Sequence, residues 1–305
     1  MAFKTPLRYP GGKQKLFPFI LEVLSENNLV GGDYAEAYAG GAGVAMELLL
    51  EDQVAHVHLN DSCKVIYAFW QSILKQTDEF CRRIADTPLT IREWRRQREI
   101  LYRPSEFEQL DVGFSTFYLN RCNRSGILAG GGVIGGLKQK GKWKMHARFS
   151  RKDLIARVLA IAARKESVTV KNWDAETFIK EYIPKLPKKS LLYCDPPYFL
   201  KGKRLYFDHY APGDHARIAR LIQNSVRRHW LASYDGTPEI LKHYSERRSF
   251  LYSVQYNAAS AYKGTETFIF SDDLKLPVNS TVLPLNNALQ LRAQSERHAA
   301  SLEPL

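Results

Sequence analysis

The sequence has no run of about 18 apolar residues, which excludes a membrane-spanning helix of ordinary length. The first residues, Met-Ala-Phe-Lys-Thr-Pro, form no apolar signal-peptide core, so we expect a cytoplasmic protein. Cysteine is scarce, and the four thiols show no Cys-x-x-Cys spacing, which argues against a zinc site and against a disulfide framework. The eight histidines form no set with metal-ligand spacing, and we therefore expect no metal.

Internal repeats and low-complexity tracts are absent too, so the 305 residues predict one large domain or a domain with an insertion. Acidic residues are outnumbered, with 44 Lys and Arg against 32 Asp and Glu and a formal net charge of +12. Such a chain suits a polyanion, with nucleic acid as the first candidate and a generally basic surface as the alternative. The basic residues cluster at Arg92, Arg95, Arg96, Arg98 and Arg103, at Lys138, Lys140, Lys142, Lys144, Arg148, Arg151 and Lys152, and at Lys201, Lys203 and Arg204.

The most informative segment is residues 191–199, where a hydrophobic strand leads into Asp-Pro-Pro-Tyr-Phe. Each proline fixes its own φ angle and favours an extended conformation in the residue before it. The result is a stiff loop that carries the carboxylate of Asp195, the carbonyls of Pro196 and Pro197, and the ring of Tyr198. Such a loop can hold a flat molecule with an exocyclic amino group, such as adenine. A proline-stopped strand in a structural sheet is the alternative.

Short apolar strands alternate with helical patterns along the chain, which indicates an α/β protein with a parallel, doubly wound sheet. Apolar spacing predicts strands at 33–38, 55–59, 167–170, 190–194 and 230–234, and a closing antiparallel hairpin at 250–256 and 265–271. The helical period predicts helices at 14–28, 44–50, 63–83, 90–103, 152–165 and 214–228.

A glycine-rich segment, Asp-Tyr-Ala-Glu-Ala-Tyr-Ala-Gly-Gly-Ala-Gly at 33–43, lies between a strand and a helix, where ligands bind in open α/β sheets. It is not the dinucleotide Gly-x-Gly-x-x-Gly pattern, and a tight structural turn explains its glycines about as well. Asp61 ends the next strand, where it can accept hydrogen bonds from ribose hydroxyls. Asp174 follows a later strand, where it can accept from the amino group of a cofactor adenine. Taken alone, each acid is explained more simply as a strand-end cap.

The order of these motifs resembles that of the Dam-like group of adenine-N6 DNA methyltransferases, which use S-adenosylmethionine. Asp-Pro-Pro-Tyr matches their catalytic motif, and the resemblance runs from about residue 5 to about residue 270. The Leu-Arg-Tyr-Pro-Gly-Gly-Lys segment at 7–13 resembles their first motif. Phe-Tyr-Leu-Asn-Arg at 117–121 resembles a signature of their target-recognition region. Their Glu-Pro-Phe-x-Gly-Gly motif is matched, with alanine in place of proline, at Glu36, Ala37, Tyr38, Gly40 and Gly41.

The resemblance implies a Rossmann-like methyltransferase sheet with helices on both faces, and direct in-line transfer of a sulfonium methyl to adenine. Asp195 and the Pro196 carbonyl would accept hydrogen bonds from the amino group, and Tyr198 would stack on the base. A base in a duplex must first be flipped out, at a cost of a few kcal/mol. Tyr9 would pack near the cofactor, and Lys13 would lie near its carboxylate or the catalytic loop. The implied cofactor site consists of Tyr9, Lys13, Glu36, Tyr38, Gly40, Gly41, Asp61, Asp174 and Asp195.

The chain between the glycine-rich segment and Asp195 is longer than a minimal sheet needs, which predicts an insertion. We predict an S-adenosylmethionine-binding catalytic domain from residues 1–61 and 166–272, a mainly helical target-recognition insertion with a β-hairpin at 62–165, and a C-terminal tail at 273–305. Arg121 and Arg124 could read guanine or grip phosphate, and Asn120 and Asn123 could read adenine, although Asn120 could equally be a buried structural amide. Phosphate contacts, or a solvated loop, are expected at Lys138, Lys140, Lys142 and Lys144.

The leading interpretation is a site-specific adenine-N6 methyltransferase for double-stranded DNA, acting as a monomer, with a dimer as the alternative. It could act alone, in a restriction-modification system or in a mobile element, and we expect a bacterial, phage or mobile-element origin. The rivals are a methyltransferase for RNA, a protein amide or cytosine N4, and a catalytically silent nucleic-acid-binding protein that retains the fold. Adenine in DNA is favoured by Asp195 and the full motif order. A silent protein is disfavoured by the joint presence of Tyr9, Lys13, Asp61, Asp174 and Asp195.

Overall fold

A computed structural model describes residues 4–8, 13–199, 210–257 and 261–277, with the backbone alone at 253–257 and 261–264. Some predicted features lie outside these residues: Tyr9, the Pro-Gly-Gly of the first motif, most of the C-terminal tail and the basic residues Lys201, Lys203 and Arg204. In the described part of the chain, no helix is long and apolar enough to cross a membrane.

The described residues form one sheet of seven strands in the order β3-β2-β1-β4-β5-β7-β6. The five strands from β3 to β5 in that order pair in parallel, while β7 pairs antiparallel with both β5 and β6. The strand order reverses between β1 and β4, and the crevice at such a switch point is where α/β sheets bind ligands. The strands are β1 (Asp33–Glu36), β2 (His56–Asn60), β3 (Val168–Lys171), β4 (Ser190–Cys194), β5 (His229–Asp235), β6 (Ser249–Asn257) and β7 (Ala261–Phe270). The predicted parallel sheet with an antiparallel edge is confirmed.

Both faces of the sheet are apolar. Neighbouring residues of a strand point to opposite sides, so each strand contributes to both faces. Tyr34 and Leu191 belong to one buried cluster, whereas Ala35 and Leu192 belong to the other. The first cluster packs under α1 (Phe17–Glu26) and α2 (Gly43–Leu50), and the second under α9 (Pro212–Ser225) and α10 (Pro238–His243). A short helix α8 (Ala175–Thr177), extended by helical turns to Lys185, also packs on the second face. Helices therefore cover both faces, as predicted.

The predicted insertion follows β2 and is helical. It contains α3 (Lys64–Lys75), α4 (Thr77–Asp86), α5 (Ile91–Tyr102), α6 (Gln109–Cys122) and α7 (Arg151–Ala162). The apolar cluster on the first face of the sheet continues into the insertion, so that Phe19 of α1 and Phe117 of α6 belong to the same cluster. The insertion therefore shares its core with the sheet, and the predicted division into separate domains stays a prediction.

Three local predictions differ from the structure. The helical pattern at 63–83 forms two helices, which meet at Gln76. The Phe-Tyr-Leu-Asn-Arg segment lies inside α6, where no helix was predicted. In place of the predicted β-hairpin, the described residues of the glycine-rich arm form turns and one isolated antiparallel bridge between Asn123 and Val133. Left-handed backbone at Gly130, Gly135 and Gly136 interrupts the extended conformation that a strand requires.

Candidate active site

The loop that follows β4 places Asp195 at the switch point of the sheet. Its side chain is 22% exposed, and its Oδ1 accepts a hydrogen bond from Ser233 Oγ at 2.6 Å. The Tyr193 hydroxyl lies 2.7 Å from the same Ser233 oxygen, so β4 and β5 together hold the carboxylate. Burial raises the pKa of Asp195 above its usual value, while the Lys13 ammonium lowers it.

Lys13 lies between two carboxylates. Its Nζ is 3.3 Å from Asp195 Oδ1 and 2.7 Å from Glu266 Oε2, and it lies 5.6 Å from the centre of the Tyr198 ring. Although burial lowers the pKa of Lys13, Asp195 and Glu266 raise it well above its ordinary value. Lys13 therefore lies beside the catalytic loop as a cation, which is one of the two positions that the sequence predicted.

Tyr198 is covered in this structure. The residue is 5% exposed, and its hydroxyl donates a hydrogen bond to Glu266 Oε1 at 2.8 Å. One residue further along, the Phe199 N–H donates to Asp235 Oδ1 at 2.9 Å, which ties the end of the Asp-Pro-Pro-Tyr loop to the end of β5. A base can stack on Tyr198 only after neighbouring groups move, so this stacking stays a prediction.

Glu266 of β7 is a site residue that the sequence reasoning missed. It is 1% exposed and accepts hydrogen bonds from Lys13, Tyr198 and Tyr252. An acidic residue near the start of the predicted strand 265–271 is the signal that could have revealed it, because a carboxylate is rarely fully buried unless it is paired.

The glycine-rich turn lies between β1 and α2 and is held by Asp61. The Gly40 N–H donates to Asp61 Oδ2 at 2.8 Å, and the Cys63 N–H donates to Oδ1 at 2.9 Å. Gly40 and Ala42 have φ angles of 46° and 44°, in the left-handed region that glycine tolerates best. Asp61 thus acts as an anchor for the turn. Since each carboxylate oxygen can accept more than one hydrogen bond, its predicted contact with a ribose stays a prediction.

Glu36 ends β1 and is buried at 4% exposure. Burial is the larger cause and the nearby charge of Asp195 the second cause that raise the pKa of Glu36 to about 8. A hydrogen bond from the Ala45 backbone acts in the opposite direction and lowers it. Tyr38, also a predicted cofactor contact, has its hydroxyl 2.8 Å from that of Tyr210. The Gly41 carbonyl accepts a hydrogen bond from Thr5 Oγ1 at 2.6 Å, which links the turn to the N-terminal segment.

Asp174 lies at the same edge of the sheet but further from its centre, beyond β3. It is exposed and caps α8, since its Oδ1 accepts from the Thr177 N–H at 2.9 Å. A capping carboxylate of this kind stabilises a helix start by about 1 kcal/mol. Its predicted contact with a cofactor adenine stays a prediction.

A family model for the D12 class of N6 adenine-specific DNA methyltransferases matches residues 9–257, which include every element of the site except β7. The chain belongs to this family. No curated protein sequence matches it. Among solved structures, the rRNA methyltransferase aviRa from Streptomyces viridochromogenes is similar over 81% of this chain and 81% of its own. The sequence identity is 11% and the TM-score 0.33, a similarity too low to support a conclusion.

The predicted family and reaction are therefore confirmed: the enzyme methylates adenine N6 in DNA. Its predicted DNA-reading residues divide into two groups. Asn120, Arg121 and Asn123 are buried at 0%, 8% and 1% exposure, and their side chains bond inside the protein. Arg121 donates to the carbonyls of Arg148 and Pro6, and Asn123 Oδ1 accepts from Trp94. These placements argue against the predicted base contacts, because a helix packed on all sides cannot present side chains to a duplex.

All members of the second group but one are exposed. Arg124, Lys138, Lys140 and Lys142 lie at the surface, whereas Lys144 is half-buried and donates to the Gln139 carbonyl at 2.6 Å. The same arm exposes two large apolar side chains, Leu137 at 57% and Trp143 at 65%. An exposed, basic arm with an aromatic side chain has the composition of a nucleic-acid contact surface.

Proposed function

We propose that this D12-class enzyme methylates an adenine flipped out of duplex DNA, with S-adenosylmethionine as methyl donor and Asp195 as acceptor for the N6 hydrogens. The observation that carries the proposal is the position of Asp195 at the switch point of the sheet. Because Ser233 and Lys13 both contact Oδ1, we propose Oδ2 as the acceptor for the substrate amino group. The Pro196 carbonyl, one residue further along, is proposed as the second acceptor.

The residues around the switch point fit a sulfonium donor that also carries a ribose, an adenine and an amino acid. Carboxylates suit the sulfonium charge, the hydroxyls and the amino groups, while an ammonium suits the donor's carboxylate. We assign the carboxylate role to Asp61 and Asp174 and the ammonium role to Lys13, with the turn at Gly40 and Gly41 beside Asp61. Glu36, whose pKa burial raises to about 8, would serve as a neutral hydrogen-bonding carboxyl group. When bound, S-adenosylmethionine supplies an activated methyl group.

Asp195 has two tasks in this proposal. As an acceptor, it would pull the amino nitrogen away from planarity and so free its lone pair for the methyl group that the bound donor would supply. The nitrogen then carries a proton too many, and a carboxylate with a raised pKa is suited to hold that proton. Most of the acceleration would come from positioning and from preorganised dipoles.

Access for the base requires a rearrangement. In the described structure the Tyr198 ring is covered, and its hydroxyl bonds to Glu266. We propose that the flipped adenine displaces this contact and stacks on the ring, which would recover about 1–3 kcal/mol of the flipping cost. The exposed residues Arg124, Lys138, Lys140 and Lys142 would hold the duplex through its phosphates.

Single-turnover methyl transfer from tritiated S-adenosylmethionine to unmethylated bacterial DNA tests this function. We expect Asp195→Asn to lower the rate by at least about 100-fold, since the amide loses both the charge and the proton-accepting capacity. Asp52→Asn is the matched control, because Asp52 precedes β2 at the opposite end of the sheet and is 78% exposed. Digestion of the product to nucleosides distinguishes N6-methyladenine from N4-methylcytosine. The same assay with an RNA substrate distinguishes a DNA methyltransferase from an RNA methyltransferase. Equal rates for the two variants would refute the role of Asp195.

A further inference from the structure

The buried contacts of Glu266 point to a function that extends the proposed mechanism and rests on it. Glu266 lies on β7, beyond β5 from the Asp-Pro-Pro-Tyr loop, yet its carboxylate reaches the centre of the site. At 1% exposure a glutamate with no other role would be costly, because burial of an ionised carboxylate is unfavourable unless it is paired and hydrogen bonded.

The partners of Glu266 come from three separate parts of the chain. Lys13 belongs to the first motif, Tyr198 to the Asp-Pro-Pro-Tyr loop and Tyr252 to β6. The two tyrosine hydroxyls donate to different oxygens, Oε1 from Tyr198 and Oε2 from Tyr252. With both oxygens anchored, the carboxylate has a fixed position from which to hold the lysine.

The Lys13 ammonium is shared unequally. Its Nζ lies 2.7 Å from Glu266 Oε2 but 3.3 Å from Asp195 Oδ1. The second distance exceeds the roughly 2.7–2.9 Å that is usual for a charged hydrogen bond. A lysine paired fully with Asp195 would neutralise the carboxylate that the adenine amino group needs as its acceptor. We propose that Glu266 is a positioning residue that draws Lys13 away from Asp195 and so keeps that carboxylate available to the substrate.

Replacement of Glu266 by glutamine separates this role from a purely structural one. The amide oxygen can still accept from Tyr198, but the amide nitrogen cannot accept from Lys13, so the ammonium would turn to Asp195. We expect the single-turnover rate of Glu266→Gln to fall at least about tenfold, because small displacements in an active site are costly. Glu266→Asp retains the charge and should recover part of the loss.

The pH profile gives the decisive readout, since the reaction requires ionised Asp195. The charged or titratable groups that face Asp195 come from β1 (Tyr34 and Glu36), from β4 (Tyr193 and Cys194), from β7 (Glu266) and from the first motif (Lys13). Loss of the Glu266 charge and closer approach of Lys13 both lower the pKa of Asp195. The acid limb of the rate should therefore move to lower pH in Glu266→Gln, by about 0.5–1 unit, and to higher pH in Lys13→Gln.

The experiment measures single-turnover methyl transfer to unmethylated bacterial DNA from pH 5.5 to 9, with a crystal structure of Glu266→Gln as a second readout. Thr267→Val is the control in the same strand, since Thr267 points to the opposite face of the sheet. An acid limb that stays in place, or a lysine still displaced from Asp195, would overturn the proposal. If Asp195→Asn is as active as the wild type, the proposed function fails instead, whatever Glu266 does.

Discussion

The side-chain amide of Asn120 pairs with the backbone of Arg8, which lies 112 residues earlier in the chain. Its Oδ1 accepts the Arg8 N–H at 2.7 Å, and its Nδ2 donates to the Arg8 carbonyl at 2.6 Å. A buried side chain of α6 thereby bonds both the N–H and the carbonyl of Arg8, as a neighbouring strand would. This contact joins the insertion to the N-terminal segment that precedes Lys13.

Removal of this amide should destabilise the fold. Asn120→Ala removes the partner of the half-buried N–H and carbonyl of Arg8 and of the buried Gly126 carbonyl. A buried group left unpaired costs about 1–3 kcal/mol, so we expect a loss of about 2–4 kcal/mol in the free energy of unfolding. Urea denaturation measures it. Replacement of the partly exposed Asn172 by alanine would remove bonds to the Asp61 and Ser62 carbonyls, which water can then reach, and is expected to cost less than about 1.5 kcal/mol. Similar losses for the two variants would contradict this account of Asn120.

The exposed lysines of the glycine-rich arm should act on DNA affinity and leave chemistry alone. In the triple variant Lys138→Ala, Lys140→Ala and Lys142→Ala, we expect weaker duplex binding and a shallower salt dependence, by about 0.9 in slope for each phosphate that the arm no longer neutralises. The single-turnover rate at saturating DNA should be unchanged. Lys185→Ala with Lys188→Ala is the control, because both lysines are exposed and precede β4 at the opposite end of the sheet. An unchanged salt slope in the triple variant would remove the arm from the DNA interface.

Loss of the Asp61 carboxylate should weaken cofactor binding. Asp61→Asn keeps the size of the side chain, but the amide can no longer accept from both the Gly40 and Cys63 N–H groups. We expect the affinity for S-adenosylmethionine, measured by isothermal titration calorimetry, to fall at least about tenfold, which is about 1.4 kcal/mol. Glu51→Gln, an exposed acid after α2 that pairs with Lys4, is the control and should bind normally. Normal affinity in Asp61→Asn would show that the turn does not need the Asp61 carboxylate as an anchor and that this carboxylate does not contact the cofactor.

Burial of Glu36 should make stability depend on pH. Its pKa is raised to about 8 in the folded protein, so its neutral form is favoured there, and stability from this group is lost as the pH rises from about 4.5 to about 8. Glu36→Gln cannot ionise. Relative to the wild type, it should therefore gain about 3–5 kcal/mol in the free energy of unfolding between pH 5 and pH 8.5. Thermal or urea unfolding of both proteins across this range measures the difference, and parallel stability curves would show that Glu36 has an ordinary pKa.

The strands, the mixed sheet that they form and the catalytic loop could be predicted because their signals are local. Apolar runs mark the strands, and two consecutive prolines after Asp195 mark the loop. Glu266 could not be placed in the same way, because its partners Tyr198 and Lys13 lie 68 and 253 residues away in the chain. Only the folded sheet, with β7 inserted next to β5, brings these side chains together.

The DNA-reading residues show the opposite limit. The Asn and Arg side chains at 120–123 have the chemistry of base recognition, but they are buried and bond inside the protein. Helix α6 is buried along nearly its whole length. A helix that packs on all sides has no polar stripe from which its orientation could be predicted. Arg124, just beyond the end of α6, is exposed and keeps its predicted role as a proposal. The predicted hairpin was wrong because positive φ angles at successive glycines cannot be read from glycine content alone.

The most direct test of the central claim is a crystal structure of the enzyme with S-adenosylhomocysteine and a duplex that contains its methylation site. We expect an adenine outside the helix, with N6 about 2.6–3.2 Å from Asp195 Oδ2 and from the Pro196 carbonyl, and with Tyr198 released from Glu266 and stacked on the base. An adenine bound elsewhere, with Lys13 fully paired to Asp195 and Tyr198 still bonded to Glu266, would contradict it.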